Sequence, residues 1–158
     1  MKVLSLVEAD FDNPTHAKAV VDLTNAYAQD SMGLNDSLPN TVKNNLIAAM
    51  KAHGNTFSFL AYMDDVPAGV ANCYLAFSTF CAANVLNIHD IAVSPYYRNK
   101  GIGDALLSKI TEKANALECC KITLEVRKDN PAQHLYLRNG FEFGSPPMYF
   151  MSKPLNER

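Results

Sequence analysis

The spacing of apolar residues along this chain alternates between a helical period and a strand-like one. Val3 to Val7 reads as a short first strand. Asn13-Pro14 then opens a helix, because asparagine caps and proline suits the first helical position. Val20, Leu23, Thr24, Tyr27 and Ala28 recur at helical spacing and carry it to Asp30. Ser31 to Asn40, with Gly33 and Pro39, is a loop. Thr41 to Ala52 repeats the helical period through Val42, Leu46, Ala49 and Met50, and Gly54 stops it.

Thr56 to Met63 and Ala68 to Phe77 are strand-like, joined by a turn at Asp64-Asp65-Val66-Pro67. Val85 to Val93 is a further strand, ended by Ser94-Pro95. A long helix follows from Ile102 to Leu117, with Leu106, Ile110, Ala114 and Leu117 on one face. Lys121 to Arg127 is another strand. Asn130-Pro131 opens a short helix that Asn139-Gly140 closes, and Phe141 to Met151 is a final strand region. The predicted order is β-α-α-β-β-β-α-β-α-β, an α+β chain with a mixed sheet in a single domain over residues 1–158. Its central β-α-β unit, 85–127, should be parallel and right-handed.

Composition narrows the class. Hydrophobic residues make up 48% of the chain and charged residues 19%, a globular balance. A formal net charge of −2 gives no bulk basic field for nucleic acid. The apolar stretch near the N-terminus is too short for a signal-peptide core, and no run approaches the roughly 20 residues of a membrane helix. Cys73, Cys81, Cys119 and Cys120 form no C-x-x-C pair, so they read as reduced thiols of a cytoplasmic protein. His16, His53, His89 and His134 lie too far apart in sequence for ligand spacing, so no metal site is expected.

The chemistry concentrates where the strand ending at Val93 runs into the long helix. Gly101 and Gly103 stand at the mouth of that helix, beside Arg98 and Lys100, and Pro95 to Gly103 holds no acid. Glycines let a ligand approach the backbone closely, and the amides and dipole of a helix start favour an anion. A phosphate or pyrophosphate is the natural occupant, although an ordinary strand-to-helix turn with solvated basic residues has the same pattern. The spacing is neither G-x-x-x-x-G-K-[ST] nor G-x-G-x-x-G, since position 106 is Leu.

The run Asp90-Ile91-Ala92-Val93-Ser94-Pro95-Tyr96-Tyr97-Arg98-Asn99-Lys100-Gly101-Ile102-Gly103, followed by Ala105-Leu106-Leu107, resembles the coenzyme A signature of the GNAT superfamily of N-acetyltransferases. Arg98, Gly101 and Gly103 meet its R-x-x-G-x-G core. Asn130, Ala132, Tyr136 and Gly140-Phe141 are similar to that family's second pattern, N-x-A-x-x-x-Y-x-x-x-G-F. The predicted element order matches too, so the resemblance covers nearly the whole chain. It implies the acyl-CoA N-acyltransferase fold, a central mixed sheet with helices on both faces.

The resemblance also implies roles. Backbone groups of Ile91, Ala92 and Val93 would pair with the pantetheine arm as an added half-strand does, and one N–H there could polarise the thioester carbonyl. Arg98, Asn99, Lys100, Gly101, Ile102, Gly103 and Asp104 would cradle the pyrophosphate, and Asn130 would reach the pantetheine or simply cap its helix. Tyr136 would be the general acid for the departing thiolate; its reference pKa of about 10 exceeds the roughly 8.5 of a thiol. His89, two residues before Ile91 and so on the same strand face, is the candidate base. Asn87 stands where relatives often carry a carboxylate or histidine, and an amide cannot be a base, so a water chain stays open. Asp90, on the other face, is the weaker choice.

In this family the first two helices and their loop usually shape the acceptor pocket, which makes Tyr27, Asp30 and Met32 the acceptor candidates. Between Val3 and Val42 stand Glu8, Asp10, Asp12, Asp22, Asp30 and Asp36 against Lys18 alone, hence net −5. Such a lip would attract a cationic amine, and an ordinary solvated acidic surface would look the same. The reading is an enzyme, an acetyl-CoA-dependent N-acetyltransferase acting on a small-molecule amine by direct attack in a ternary complex. No metal, nucleic acid or membrane is implied, and a homodimer is left open. The alternatives are a non-catalytic coenzyme A-binding module and an acetyltransferase for a protein amine.

Overall fold

The structure, a computed structural model, describes residues 2–155; Met1 and 156–158, the ends of the expected 1–158 domain, lie outside the described residues. The chain resolves into two compact units, one reaching to Leu124 and one starting at Glu125.

The first unit holds a five-stranded mixed sheet in the order β1-β2-β3-β4-β5. Its strands are β1 (Leu4–Glu8), β2 (Thr56–Met63), β3 (Val66–Ser78), β4 (Ala83–Val93) and β5 (Lys121–Leu124). β1 to β4 pair antiparallel in sequence order, and β5 lies parallel to β4. The helices are α1 (Pro14–Gln29), α2 (Asn40–His53) and α3 (Ile102–Ala116). Asn13 caps α1 by accepting from the Thr15 and His16 amides, and Gly54 ends α2 at φ 79°.

Strand alternation sorts the two faces. Leu60, Val70 and Ala92 meet Ala19 and Val20 of α1, with Ile47 and Met50 of α2 packed around them. Gly69, one residue from Val70, lies on the opposite face under α3. A Cβ there would come within 3.1 Å of Ile102, 3.2 Å of Leu106 and 3.2 Å of the Ala92 carbonyl oxygen, so these neighbours would have to give by a few tenths of an ångström. Helices therefore cover both faces, as expected.

A polar knot crosses the α1 face. Ser58 Oγ donates to Asn72 Oδ1 at 2.6 Å, and Asn72 Nδ2 donates to Thr24 Oγ1 at 2.9 Å and Asp90 Oδ2 at 3.0 Å. Ser58 is wholly buried and Asn72 nearly so. Asn72→Ala is expected to cost about 1–3 kcal/mol, since it strands the buried Ser58 hydroxyl and one Asp90 oxygen. Urea unfolding checks this; a loss under ~0.5 kcal/mol would mean water replaces the amide.

The second unit carries α4 (Gln133–Arg138), with Tyr136 buried and its ring edge-on to Phe141 at 6.0 Å. Asn130 Oδ1 accepts from the Ala132 amide at 2.9 Å, so Asn130 and Pro131 form a turn ahead of the helix rather than its first residues. Gly140, at φ 85°, follows its end as expected.

Three expectations are corrected. The final strand over Phe141 to Met151 does not form, so the order ends at α4. Pro146 and Pro147 lack ladder donors in the middle of that stretch. β5 stops at Leu124, not Arg127; the Arg127 carbonyl instead accepts from Asn130 N at 3.0 Å and Gln133 Nε2 at 2.9 Å. The turn between β2 and β3 is Asp64-Asp65 alone, both at positive φ. Among the described residues no helix is long and apolar enough to cross a membrane.

Candidate active site

β4 delivers the site. Along its first half it pairs on both sides, with β3 and with β5 from Val85↔Lys121 to Ile88↔Leu124. Beyond Ile88 the β5 partnership ends while pairing with β3 continues to Gly69↔Val93. Ile91, Ala92 and Val93 thus have a strand on one side only, among the described residues. That edge can accept an extended ligand through its backbone.

After β4, Pro95–Tyr97 forms a short 3-10 turn, and the chain then passes through two left-handed residues, Asn99 at φ 59° and Gly101 at φ 75°. Gly101 is the N-cap of α3 and has no side chain to cap it. The helix's own bonding starts with Ala105 N to Gly101 O at 3.0 Å, which puts the amides of Ile102 and Gly103 at the helix start. Lys100 stays beside the loop, its Nζ donating to Tyr96 O at 3.2 Å and lying 5.1 Å over the Tyr97 ring. The Arg98-to-Asp104 segment is therefore a basic loop that ends on helix-start amides. Its chemistry fits an anion.

A shallow groove opens between α1 and this junction, lined by Leu23, Ala26, Tyr27, Asp30, Ala92, Val93, Ser94, Pro95 and Arg98. Tyr27 and Asp30, named from the sequence, meet Ala92, Val93 and Arg98 here. Met32 does not line the groove; its amide donates to Asp30 Oδ1 at 2.9 Å. The sequence reading missed Leu23, Ala26, Ser94 and Pro95. The helical stripe Leu23–Ala26–Tyr27–Asp30 was a usable signal, since residues three and four apart share a face.

Asp30 and Arg98 form an ion pair at 2.7 Å, and Arg98 Nε also donates to Val93 O at 3.3 Å. One guanidinium thereby joins the end of α1 to the end of β4. The Met32 amide, and then Arg98, hold the Asp30 carboxyl below its ordinary range. Its folded pKa is depressed, so this stabilisation is present above the unfolded value near about 3.9 and is lost as pH falls through the folded value. Asp30→Asn is expected to lower stability by about 1 kcal/mol or less at pH 7, the scale of a partly exposed pair. The gap should close below about pH 4, as urea midpoints across pH would show. The loop after Asp30 turns tightly: a Cβ on Gly33 would stand 2.2 Å from the Tyr27 carbonyl oxygen, so only glycine fits.

His89 is corrected in orientation. β3 and β4 slip register between Asn72↔Asp90 and Cys73↔Ile88, which makes His89 the extra residue of a bulge. Plain alternation fails there. The His89 ring sits edge-on to Tyr74 at 6.0 Å; Tyr74 lies two residues from Asn72, on the α1 face rather than Ile91's. His89 is exposed and does not line the groove. Asp90 does point to the α1 face, held by Asn72. Asn87 donates to Thr123 Oγ1 at 3.0 Å, tying β4 to β5. Tyr136 and Asn130 belong to the second unit.

The acidic N-terminal third is less of a field than its count suggests. Glu8 pairs with Lys113, Asp12 with Lys51, Asp22 with Lys18 and Asp30 with Arg98. Of the six acids, Asp30 alone lines the groove.

The sequence pattern of residues 20–141 matches the model of the Acetyltransferase (GNAT) family, over more than half of the chain. The chain belongs to the acetyltransferase (GNAT) family. Streptothricin acetyltransferase A of Bacillus subtilis (strain 168) is 42% identical over 59 residues, a match that spans 37% of this chain and 34% of that protein. The fold of this GNAT chain is similar to AAC(6')-Iy in complex with the bisubstrate analog CoA-S-monomethyl-acetylneamine, with TM-score 0.77, 18% identity, and 96% and 99% of the two chains covered. It is also similar to the aminoglycoside acetyltransferase meta-AAC0020 from an uncultured soil metagenomic sample, in complex with sisomicin. There the TM-score is 0.74 and the identity 16%, covering 95% and 97%. At such identities the likeness is one of fold.

Proposed function

We propose that this GNAT chain transfers acetyl from acetyl-coenzyme A to the primary amine of a cationic small molecule, by direct attack in a ternary complex. The observation that carries this reading is the continuity of three features: the one-sided β4 edge, the basic glycine loop, and a groove with an acid in it. Acetyl-coenzyme A supplies the activated thioester carbonyl. Backbone groups of Ile91, Ala92 and Val93 hold the pantetheine arm, and an N–H there stabilises charge that develops on the carbonyl oxygen. Amides from Asn99 to Asp104, with Lys100 and Arg98, hold the pyrophosphate. Tyr136 gives a proton to the departing thiolate, and Asn130 contacts the pantetheine arm.

The Asp30–Arg98 pair supports a cationic acceptor in a particular order. An arginine that turns to a pyrophosphate releases its carboxylate partner. Asp30 then faces the groove uncompensated, ready for an ammonium group. Deprotonation of that ammonium falls to His89 or to water, and the exposed bulge position favours water relay over direct contact. The small-molecule acceptor is in keeping with sisomicin in the complex of the fold relative.

A second reading, a coenzyme A-binding module without turnover, draws on one observation: the Asn87 amide is occupied with Thr123. Free-thiol release from acetyl-coenzyme A across a panel of amines separates the two. Turnover is expected with polycationic small molecules and not with anionic amines. Tight coenzyme A binding with no release across the panel would overturn the catalytic reading, and turnover only with lysine peptides would overturn the small-molecule acceptor.

A further inference from the structure

The last described stretch of the chain presents an apolar surface to solvent. Phe143, Met148, Tyr149, Phe150, Met151 and Leu155 are each 62–90% exposed. Every residue from Glu142 to Leu155 is exposed, and the stretch holds no helix or strand. The amides of residues 148–152 donate to no other described residue and are left to water. Single apolar residues scattered over a surface are ordinary, whereas a concentration of this kind marks an interaction site. In an extended chain Met148 and Phe150 fall on one side, and Tyr149 and Met151 on the other. Apolar residues on both sides are the pattern of a strand that is covered on both faces.

We propose that residues 143–155 are the core of a two-fold dimer interface, in which this stretch packs against the same stretch of a second copy. Two segments laid antiparallel about a two-fold axis supply each other with a ladder partner. Residues 148–152, past Pro146 and Pro147, have the amides that such a ladder needs. The area is sufficient. Six side chains of this size expose on the order of 900 Å², against the roughly 800 Å² that each partner buries in a stable complex. Charge points to the same occupant. No charged residue lies between Glu142 and Lys153, so a second copy brings no like charge into the centre, and interface cores are depleted of charge. The net charge of −2 per chain adds little repulsion between copies. A membrane surface is the poorer fit. Segments that lie on one set several Lys or Arg beside their apolar side chains, and 143–155 has Lys153 alone.

The test is sedimentation velocity of the full chain from about 1 to about 100 µM, where mass action favours the dimer at the upper end. The wild type is expected to be a dimer there. Met148→Lys combined with Phe150→Lys should raise the dimer dissociation constant at least about 100-fold, because each ammonium would be buried unpaired. Both side chains are exposed in the single chain, so the far-UV circular dichroism of this variant should match the wild type. Phe80→Lys, at the exposed tip of the β3–β4 hairpin, should leave the dimer intact. Hydrogen exchange gives a readout free of substitution. The amides of residues 148–152 should exchange at least ~10-fold more slowly in the concentrated sample than in the dilute one. A wild type that stays monomeric at the upper concentration, or exchange that ignores concentration, would overturn the proposal. So would a dimer that survives the double lysine variant, open-ended assembly in place of a dimer, or a monomer that instead co-sediments with phosphatidylserine vesicles.

Discussion

Gly103→Val is expected to abolish measurable coenzyme A binding while leaving the protein folded. Gly103 is the second residue of α3 and is half-buried. In a helix, valine is no worse than glycine, which costs roughly 0.5–1 kcal/mol relative to alanine. Stability should therefore hold, with a melting temperature within a few degrees of the wild type. The branched side chain would stand where the proposed pyrophosphate must approach the helix-start amides. Loss of that approach should raise the dissociation constant at least about 100-fold, equivalent to ~2.7 kcal/mol. Gly101 is a less clean probe, because its φ of 75° would strain any side chain whatever the ligand does. Titration calorimetry with coenzyme A, beside a thermal melt, checks the prediction. Binding within threefold of the wild type would remove the phosphate from this loop.

Tyr136→Phe should lower kcat by about 100-fold or more, the lower end of what a positioned general acid contributes, with coenzyme A affinity near the wild type. The ring is buried and packs edge-on against Phe141, and phenylalanine preserves both features. Only the hydroxyl is lost. A packing role and an acid role can be told apart by the leaving group. An acetyl thioester of a more acidic thiol needs less protonation as it departs, so the defect should shrink markedly with such a donor. A defect of the same size with both donors would assign Tyr136 to packing.

These two predictions rest on residues legible from local pattern, and that is not accidental. A glycine at a helix mouth and a tyrosine within a short capped helix are defined by neighbours in sequence. The same holds for Asn13 as the cap of α1 and for Gly54 past the end of α2. The β2 strand, Thr56–Met63, was bounded correctly because its apolar run is closed by turn residues on both sides.

Other features depend on pairing between distant segments. The bulge that turns His89 toward Tyr74 comes from the register between β3 and β4, so strand alternation within β4 alone gave the wrong face. The acidic lip looked strong when charges were counted, because its lysine and arginine partners lie up to 105 residues away, as with Glu8 and Lys113. The apolar residues from Phe141 to Met151 suggested a strand, yet a strand needs ladder donors and a partner, and Pro146-Pro147 supplies no donors.

The sequence by itself determined the helices and strands of the first unit, the basic glycine loop and the two signature segments. These follow from residue period, capping and backbone freedom, which act over a few residues. Only the tertiary structure decided that Arg98 meets Asp30 and that Asn72 gathers Ser58, Thr24 and Asp90. Each joins side chains from segments that become neighbours once the sheet has chosen its register. That choice depends on the burial of whole faces rather than on any local motif.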